Sequence, residues 1–198
     1  MTPGVPFYFV RHGVTDHNRA RLVMGQRDVP LNAEGRRQAR RAAAILVGHP
    51  VGAIHASPLG RALETARIIG EVLGREVRTD PRLMERRWGI YEGRDRALRP
   101  IDSDPEGGET LADFTARTLA GVAEAGADAD AAPILVVAHN GTCRVLRRHF
   151  GLPGAEDLVP NAVPLRFEPS ADGWREIVLG ADAGTLINSH SNGHHGPP

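Results

Sequence analysis

Short apolar runs alternate along the chain with segments of helical periodicity. The runs VPFYFV (5–10), AIHAS (53–57) and ILVVA (134–138) are brief, which predicts buried strands rather than helices. The segment 75–85 can hold a further strand followed by a turn. Near the end of the sequence, residues 162–180 contain two strand-like runs around PSADG, an arrangement that predicts a hairpin.

Helical segments follow several of these runs. Asn32 is a suitable N-cap for a helix that ends at Gly48. In the next helix we expect Ser57 as the N-cap and Pro58 as the first helical residue. Further helices are predicted at about residues 110–126 and 142–150.

The alternation of strands and helices predicts an α/β fold, a three-layer α/β/α sandwich. Its sheet would be mostly parallel, with helices on both faces and antiparallel pairing late in the chain. Residues 86–109 carry charge, proline and glycine with little periodicity, and predict a loop-rich excursion over the surface. We expect one domain over 1–183, and in the polar, histidine-rich segment 184–198 a disordered tail rather than a metal site.

Composition narrows the possible partners. Lys+Arg and Asp+Glu are equal at 24 each, so no broad basic field exists to attract nucleic acid or a membrane surface. Cys143 is the only cysteine, which rules out an internal disulfide. The N-terminal segment lacks the pattern of a signal peptide, and no apolar run has membrane-spanning length. We therefore expect a soluble cytoplasmic protein, a monomer or homodimer, with neither metal nor cofactor.

The candidate chemistry lies where apolar strands end. Two predicted strands end on histidine, at His12 and His139. The helix that follows the strand at 53–57 carries Arg61 in its first turn. Arg11 stands beside His12. Parallel strands end at one edge of a sheet, so these side chains could converge on a phosphoryl group, which arginine binds through two parallel donors. Alternatively, each histidine could simply form a structural hydrogen bond.

The order of motifs is more specific than these single residues. The sequence resembles the histidine phosphatase superfamily, also called phosphoglycerate mutase-like, from Phe7 to about Leu179. Five blocks carry the resemblance in order: RHGVTDHN, MGQRDVPLNAEGRRQA, SPLGRALETA, LMERRWGIYEG and VVAHNGTCR. Each block lies on the element that local patterns predict for it.

The resemblance implies a role for the matching residues. His12 would be the nucleophile, attacking phosphorus through one ring nitrogen to form a phosphohistidine while the other nitrogen donates to a backbone carbonyl. Arg11, Arg61 and His139 would surround the phosphoryl oxygens, with His139 cationic when phosphate is bound. Asn18 would add a neutral donor, and Gly13 and Thr15 would shape the turn.

The resemblance also implies an acid. Glu85 would protonate the leaving oxygen and then take a proton from the water that hydrolyses the phosphohistidine; Glu92 is a competing candidate. His17 and His55 are expected to be structural or exposed, although His55 could touch substrate if it borders the pocket.

Two positions decide details of the pocket. Asn140 stands where relatives commonly have glycine; asparagine tolerates a left-handed backbone, and we place this residue beside the phosphate. Trp88 is as consistent with the core as with the pocket wall.

The activity implied is that of a phosphomonoesterase of the histidine acid phosphatase type acting on a small phosphorylated metabolite. ERRWG is reminiscent of the mutase branch, but only RDRALRPIDSDPEGGET separates Gly93 from the next helix, and this is shorter than the mutase insertion. A phosphoglycerate mutase-type phosphotransferase remains the alternative, and a phosphate-binding protein without catalysis is a third.

Overall fold

The computed structural model describes residues 4–127 and 132–180. Six strands form one sheet in the order β3-β2-β4-β1-β5-β6. The first four strands of this order are parallel to one another, β5 is antiparallel to β1, and β6 is antiparallel to β5. The elements are β1 (Phe7–Arg11), α1 (Asp16–Arg19), α2 (Ala33–Leu46), β2 (Ile54–Ala56), α3 (Gly60–Leu73), β3 (Val77–Thr79), α4 (Leu111–Ala127), β4 (Leu135–Ala138), α5 (Asn140–His149), β5 (Pro164–Ser170) and β6 (Gly173–Val178). The mostly parallel sheet and the late hairpin are confirmed.

The two faces of the sheet bury separate apolar cores. Tyr8 and Val10 of β1 pack in one cluster with residues of α2 and α3. Phe7 and Phe9, which alternate with them, pack in the other cluster with residues of α4 and α5. Side chains alternate between the faces of a strand, so the apolar residues 7–10 of β1 require helices on both sides. The predicted three-layer arrangement is confirmed.

The predicted start of α3 is wrong. Leu59, not Ser57, is the N-cap, and the helix begins at Gly60 rather than at Pro58. The reason is that Ser57 still belongs to the edge of the sheet, where its N–H donates to the carbonyl of Val137 in β4 (3.0 Å). By contrast, Asn32 caps α2 as predicted, its side chain accepting from the N–H of Gly35 (2.9 Å).

The start of α5 also differs from expectation, whereas the loop-rich excursion is present. Helix α5 begins at Asn140, two residues before the predicted start, with His139 as its N-cap. Asn140 therefore has a helical backbone, and the left-handed turn that asparagine would tolerate is not formed at this position. The predicted excursion 86–109 contains only short 3-10 turns, at Gly89–Tyr91 and Arg96–Leu98.

The histidine-rich tail predicted at 184–198 lies outside the described residues, as does the end of the predicted domain. Within the ranges 4–127 and 132–180, no helix is long and apolar enough to cross a membrane.

Candidate active site

Three neighbouring parallel strands deliver polar residues to one edge of the sheet. His12 follows β1, and its N–H donates to the carbonyl of Ala138 at the end of β4 (3.0 Å). His139 follows β4, and Ser57 follows β2. The rings of His12 and His139 lie with their centroids 5.3 Å apart. The expected convergence of the two histidines is therefore present.

His12 has a defined tautomer. Its Nδ1 lies 2.8 Å from the carbonyl oxygen of Gly13, and since a carbonyl oxygen only accepts, Nδ1 carries the proton. Burial, together with the Arg61 and Arg11 guanidiniums, holds the pKa of His12 well below its usual range. The ring is therefore neutral at physiological pH, with the lone pair on Nε2.

Arg11 and Arg61 bring two buried positive charges to this edge. Arg11 donates from Nη1 to the carbonyl of Val159 (2.6 Å), and Arg61 donates to two backbone carbonyls (2.7 and 2.8 Å). The Nε of each is buried without a hydrogen-bond partner in the described part of the chain. Burial lowers the pKa of both to about 10, against the opposing charge of Glu85, so both remain cationic at neutral pH.

His139 is held by a serine. Its Nε2 lies 2.8 Å from the hydroxyl of Ser57, and its Nδ1 is buried with no partner among the described residues. Burial, and then the charge of Arg61, holds the pKa of His139 well below its usual range. Nδ1 is therefore the ring nitrogen that forms no hydrogen bond in the described structure.

The carboxylate of Glu85 is fixed by backbone donors. Its oxygens accept from the N–H of Arg86 (2.8 Å) and of Gly141 at the start of α5 (3.2 Å). A Cβ at position 141 would lie 2.1 Å from Oε1 of Glu85, so only glycine allows this approach. Glu92, the competing acid, instead accepts from the N–H of Trp88 (2.9 Å) and contributes to the loop structure.

The spacing of Thr15 and Asn18 has a local cause. Thr15 is the N-cap of α1, its hydroxyl accepting from the N–H of Asn18, while the side-chain oxygen of Asn18 accepts from the N–H of Thr15 (3.1 Å). This is a capping box, which requires the two residues three positions apart. The oxygen of Asn18 is thus engaged, and its Nδ2 group remains as the donor toward the pocket.

Asn140 is tied to the loop that supports Arg11. Its side-chain oxygen accepts from the N–H of Val159 (2.9 Å), and the carbonyl of Val159 in turn accepts from Arg11. Its Nδ2 group is the part that could contact phosphate. Asn140 therefore also helps to position an arginine.

A cavity of about 450 Å³ opens over these groups. The predicted site residues in its wall are Arg11, His12, Asn18, Arg61, Glu85 and Asn140. His139 lies against His12 but is not itself part of the wall. Trp88 lines the cavity, whereas Glu92, His17 and His55 do not. No cluster of His, Cys, Asp or Glu side chains suited to a metal ion occurs among residues 4–127 and 132–180.

Sequence patterns missed two residues at this site. Ser57 carried a usable signal, because it directly follows β2 and parallel strands end at a common edge. No sequence pattern points to Asn161, because it lies 149 positions from His12 in the chain. Its Nδ2 donates to the carbonyl of His12 (2.8 Å).

A parallel-sheet edge that gathers two histidines, two buried arginines and a glutamate is the arrangement expected of a phosphoryl-transfer enzyme. A family model described as the histidine phosphatase superfamily (branch 1) matches residues 7–180. The chain belongs to this superfamily.

Relatives with phosphatase and mutase names are both similar to the chain. The uncharacterized phosphatase PhoE of Bacillus subtilis is 36% identical over 93% of this chain and 95% of its own. The glucosyl-3-phosphoglycerate phosphatase of Mycobacterium tuberculosis is 36% identical over 69% of this chain and 71% of its own. A structure of the mycobacterial glucosyl-3-phosphoglycerate phosphatase with VO3 has a TM-score of 0.75 and 31% identity, covering 88% of this chain and 97% of that one.

The mutase likeness is shorter. The probable phosphoglycerate mutase GpmB of Serratia proteamaculans is 46% identical over 44% of this chain, and the match spans only 40% of that protein. The superfamily and the names of these relatives indicate an enzyme of the phosphatase or mutase kind.

Proposed function

We propose that this protein hydrolyses small phosphomonoesters through a phosphohistidine on His12. One observation carries the proposal: the unprotonated Nε2 of His12 stands in a cavity beside two buried arginines whose Nε groups lack partners in the described structure. Buried cations without bonded carboxylates favour an anionic ligand, and a phosphoryl group offers oxygens to both.

The first chemical step forms the phosphohistidine. Nε2 of His12 attacks phosphorus, the bond from phosphorus to the ester oxygen breaks, and Glu85 gives that oxygen its proton. Arg11 and Arg61 neutralise the phosphoryl oxygens, with further donors from Nδ1 of His139 and the Asn18 amide.

In the second step Glu85 takes a proton from a water molecule that attacks phosphorus. The bond from phosphorus to nitrogen breaks, and neutral His12 and inorganic phosphate are restored. All charge neutralisation in this scheme comes from side chains, so we expect turnover to survive a chelator.

Hydrolysis rather than transfer is supported by the short connection to α4. Residues 94–109 supply part of the cavity wall, at Arg96, Ala97, Arg99 and Ile101, but form only one 3-10 turn. The mutase-type insertion that would keep water from the phosphohistidine is not present in this segment. Two of the relatives that match over most of the chain are named as phosphatases, which agrees with this choice.

Trapping the intermediate tests the proposal. Purified protein mixed with ³²P-labelled substrate and quenched without acid should carry base-stable, acid-labile label that maps to His12. His12→Ala should abolish both label and turnover, while His17→Ala, in the same motif but outside the cavity wall, should keep both.

Two results would contradict this function. Near-normal turnover by His12→Ala would place the nucleophile elsewhere. Phosphate transfer to 3-phosphoglycerate in the presence of a bisphosphorylated primer, faster than release of inorganic phosphate, would identify the mutase instead.

A further inference from the structure

The backbone that follows the nucleophile is held by side chains from three distant segments. Two peptide units flank Gly13: one joins it to His12 and the other joins it to Val14. Together they present four polar groups, which are the carbonyls of His12 and Gly13 and the N–H groups of Gly13 and Val14. Each of the four forms a hydrogen bond with a side chain.

The first peptide unit is fixed at both ends. The carbonyl of His12 accepts from Nδ2 of Asn161 (2.8 Å), in the loop before β5. On the opposite side, the N–H of Gly13 donates to the hydroxyl of Thr65 (3.0 Å), which is fully buried in α3. The hydroxyl of Thr65 gives its own proton to the carbonyl of Arg61 (2.7 Å), so its oxygen accepts from Gly13. This peptide plane cannot rotate without breaking both bonds.

The second peptide unit carries the carbonyl that determines the tautomer of His12. Its oxygen, on Gly13, accepts from Nδ1 of the His12 ring (2.8 Å). Its N–H, on Val14, donates to Oε1 of Gln38 in α2 (2.8 Å). Because a trans peptide is planar, with its N–H opposite its carbonyl, the bond to Gln38 fixes the direction of the Gly13 oxygen.

Helix α2 leaves this loop little room. A Cβ on Gly13 would lie 2.4 Å from the carbonyl oxygen of Gly35, and a Cβ on Gly35 would lie 2.2 Å from the carbonyl oxygen of Val14. The N–H of Asn32 donates to the same Val14 oxygen (3.2 Å). The first turns of α2 therefore pack directly against the second peptide unit, where the side chain of Gln38 bonds it.

Contact with substrate does not explain these side chains, because Gln38, Thr65 and Asn161 all lie outside the cavity wall. Their effect on His12 does. The tautomer of a histidine is set by the hydrogen bond at its other ring nitrogen. If the Gly13 carbonyl turned away, Nδ1 would lose its acceptor and the proton could move to Nε2. That nitrogen would then have no lone pair with which to attack phosphorus.

We propose that Gln38, Thr65 and Asn161 are positioning residues that keep His12 in the tautomer able to attack phosphorus. Gln38 acts most directly, because it holds the same peptide unit as the Gly13 carbonyl. The proposal rests on the proposed function, since it takes Nε2 of His12 as the nucleophile. The three side chains exchange no proton with the substrate and act only through the direction of one carbonyl.

Replacing Gln38 tests this role. Gln38→Met keeps the length of the side chain but removes the acceptor, and should shift part of the His12 population to the Nε2–H tautomer, measured by ¹⁵N chemical shifts. The rate of phosphohistidine formation should fall by about 10- to 100-fold, the effect of one buried donor left unpaired. The loss should be equal for alkyl phosphates and p-nitrophenyl phosphate, because every leaving group needs the nucleophile. Gln38→Glu, which keeps the acceptor, should restore both the tautomer and the rate.

Arg40→Met is the matched control, since Arg40 is an exposed residue of the same helix. A second pair of variants repeats the comparison at the other peptide unit. Thr65→Val keeps the shape of the side chain but removes the hydroxyl, whereas Thr65→Ser keeps the hydroxyl. Valine should shift the tautomer and slow the transfer for both leaving groups, and serine should reverse both effects. This pair decides the proposal if Gln38→Met does not fold.

The ¹⁵N measurement needs no turnover, so it separates this proposal from the proposed function. If the wild-type protein hydrolyses no phosphomonoester, the proposed function fails, and the tautomer in Gln38→Met still decides whether these side chains position His12. An unchanged tautomer in Gln38→Met and Thr65→Val would overturn the proposal even if activity falls, because the loss would then be structural. A loss confined to alkyl phosphates would also overturn it, since the effect would then act through Glu85.

Discussion

The hydrogen-bond partner of His12 assigns its proton, and the partner of His139 permits one assignment that can be tested. The carbonyl of Gly13 can only accept, so it fixes the proton of His12 on Nδ1. The hydroxyl of Ser57 accepts from the N–H of Leu59 (3.3 Å), so its own proton can be donated to Nε2 of His139. His139 would then carry its proton on Nδ1, where it can bond a phosphoryl oxygen while neutral.

Replacing Ser57 tests this assignment of a positioning residue. Ser57→Ala should lower kcat/KM for phosphomonoesters by about 3- to 10-fold, the contribution of one hydrogen bond. Ser57→Thr, which keeps the hydroxyl, should restore it. The ¹⁵N chemical shifts of His139 report the tautomer directly, and an unchanged tautomer in Ser57→Ala would rule out this role.

Glu85→Gln distinguishes a proton donor from a structural residue. An alkyl leaving group needs a proton, while p-nitrophenolate hardly does. The substitution should therefore lower kcat/KM for alkyl phosphates by a factor on the order of 10²–10⁴, and much less for p-nitrophenyl phosphate.

Glu92→Gln is the comparison for that experiment, because Glu92 lies outside the cavity wall and should affect both substrates alike. Equal losses for both leaving groups in Glu85→Gln would mean that Glu85 only positions other groups.

At the scale of elements, the start of α5 and the loop that carries Glu85 meet without room for a side chain. A Cβ on Gly141 would lie 2.1 Å from the Glu85 carboxylate and 2.9 Å from the Phe114 ring. Both distances are shorter than van der Waals contact, so any larger residue must displace the acid or the aromatic ring. The backbone of α5 therefore determines the position of Glu85, at a residue that has no side chain.

Gly141→Ala should separate catalysis from stability. We expect kcat/KM for alkyl phosphates to fall by about 10²-fold, because a displacement of about 1 Å misplaces the acid. Turnover of p-nitrophenyl phosphate should fall much less. Gly48→Ala is the control, since the nearest atom to its Cβ is 3.8 Å away. A large drop in Tm with equal loss for both substrates would show that the substitution acts on folding instead.

On the scale of the whole molecule, charge is balanced overall but unevenly distributed. The sequence has 24 basic and 24 acidic residues, yet the wall of the cavity contains eight arginines and two glutamates. The charge of the site is thus local, and the fold must keep two neutral histidines buried among these cations. Stability should therefore depend on pH.

Without phosphate, the free energy of unfolding should decrease as the pH falls below about 6.5. His12 and His139 have folded-state pKa values well below the usual one, so the unfolded chain binds more protons in this range. Their contribution is fully present above the unfolded pKa and is lost as the pH falls toward the folded values. The slope should reach about 1.4 kcal/mol per pH unit for each histidine.

Urea unfolding between pH 7.5 and 5.5 measures this slope. The double variant His12→Gln, His139→Gln should flatten the curve, whereas His17→Gln should leave it unchanged. Parallel curves for the wild-type protein and the double variant would mean that other groups cause the pH dependence.

The sequence by itself determined the features that depend on neighbours along the chain. Strand β1 follows from an apolar run, the start of α2 from Asn32, and the spacing of Thr15 and Asn18 from a capping box within one turn. The placement of both histidines at strand ends also followed, because parallel strands finish at a common edge.

Only the tertiary structure decided the features that join distant segments. The local sequence predicts Ser57 as a helix N-cap, because a serine before proline favours a cap, but its hydrogen bond to β4 outweighs that local preference. Asn161 reaches His12, and Arg99 lies against Trp88, through contacts that no local pattern encodes. Such contacts depend on how the sheet and its loops pack, so the substrate pocket as a whole had to be found in three dimensions.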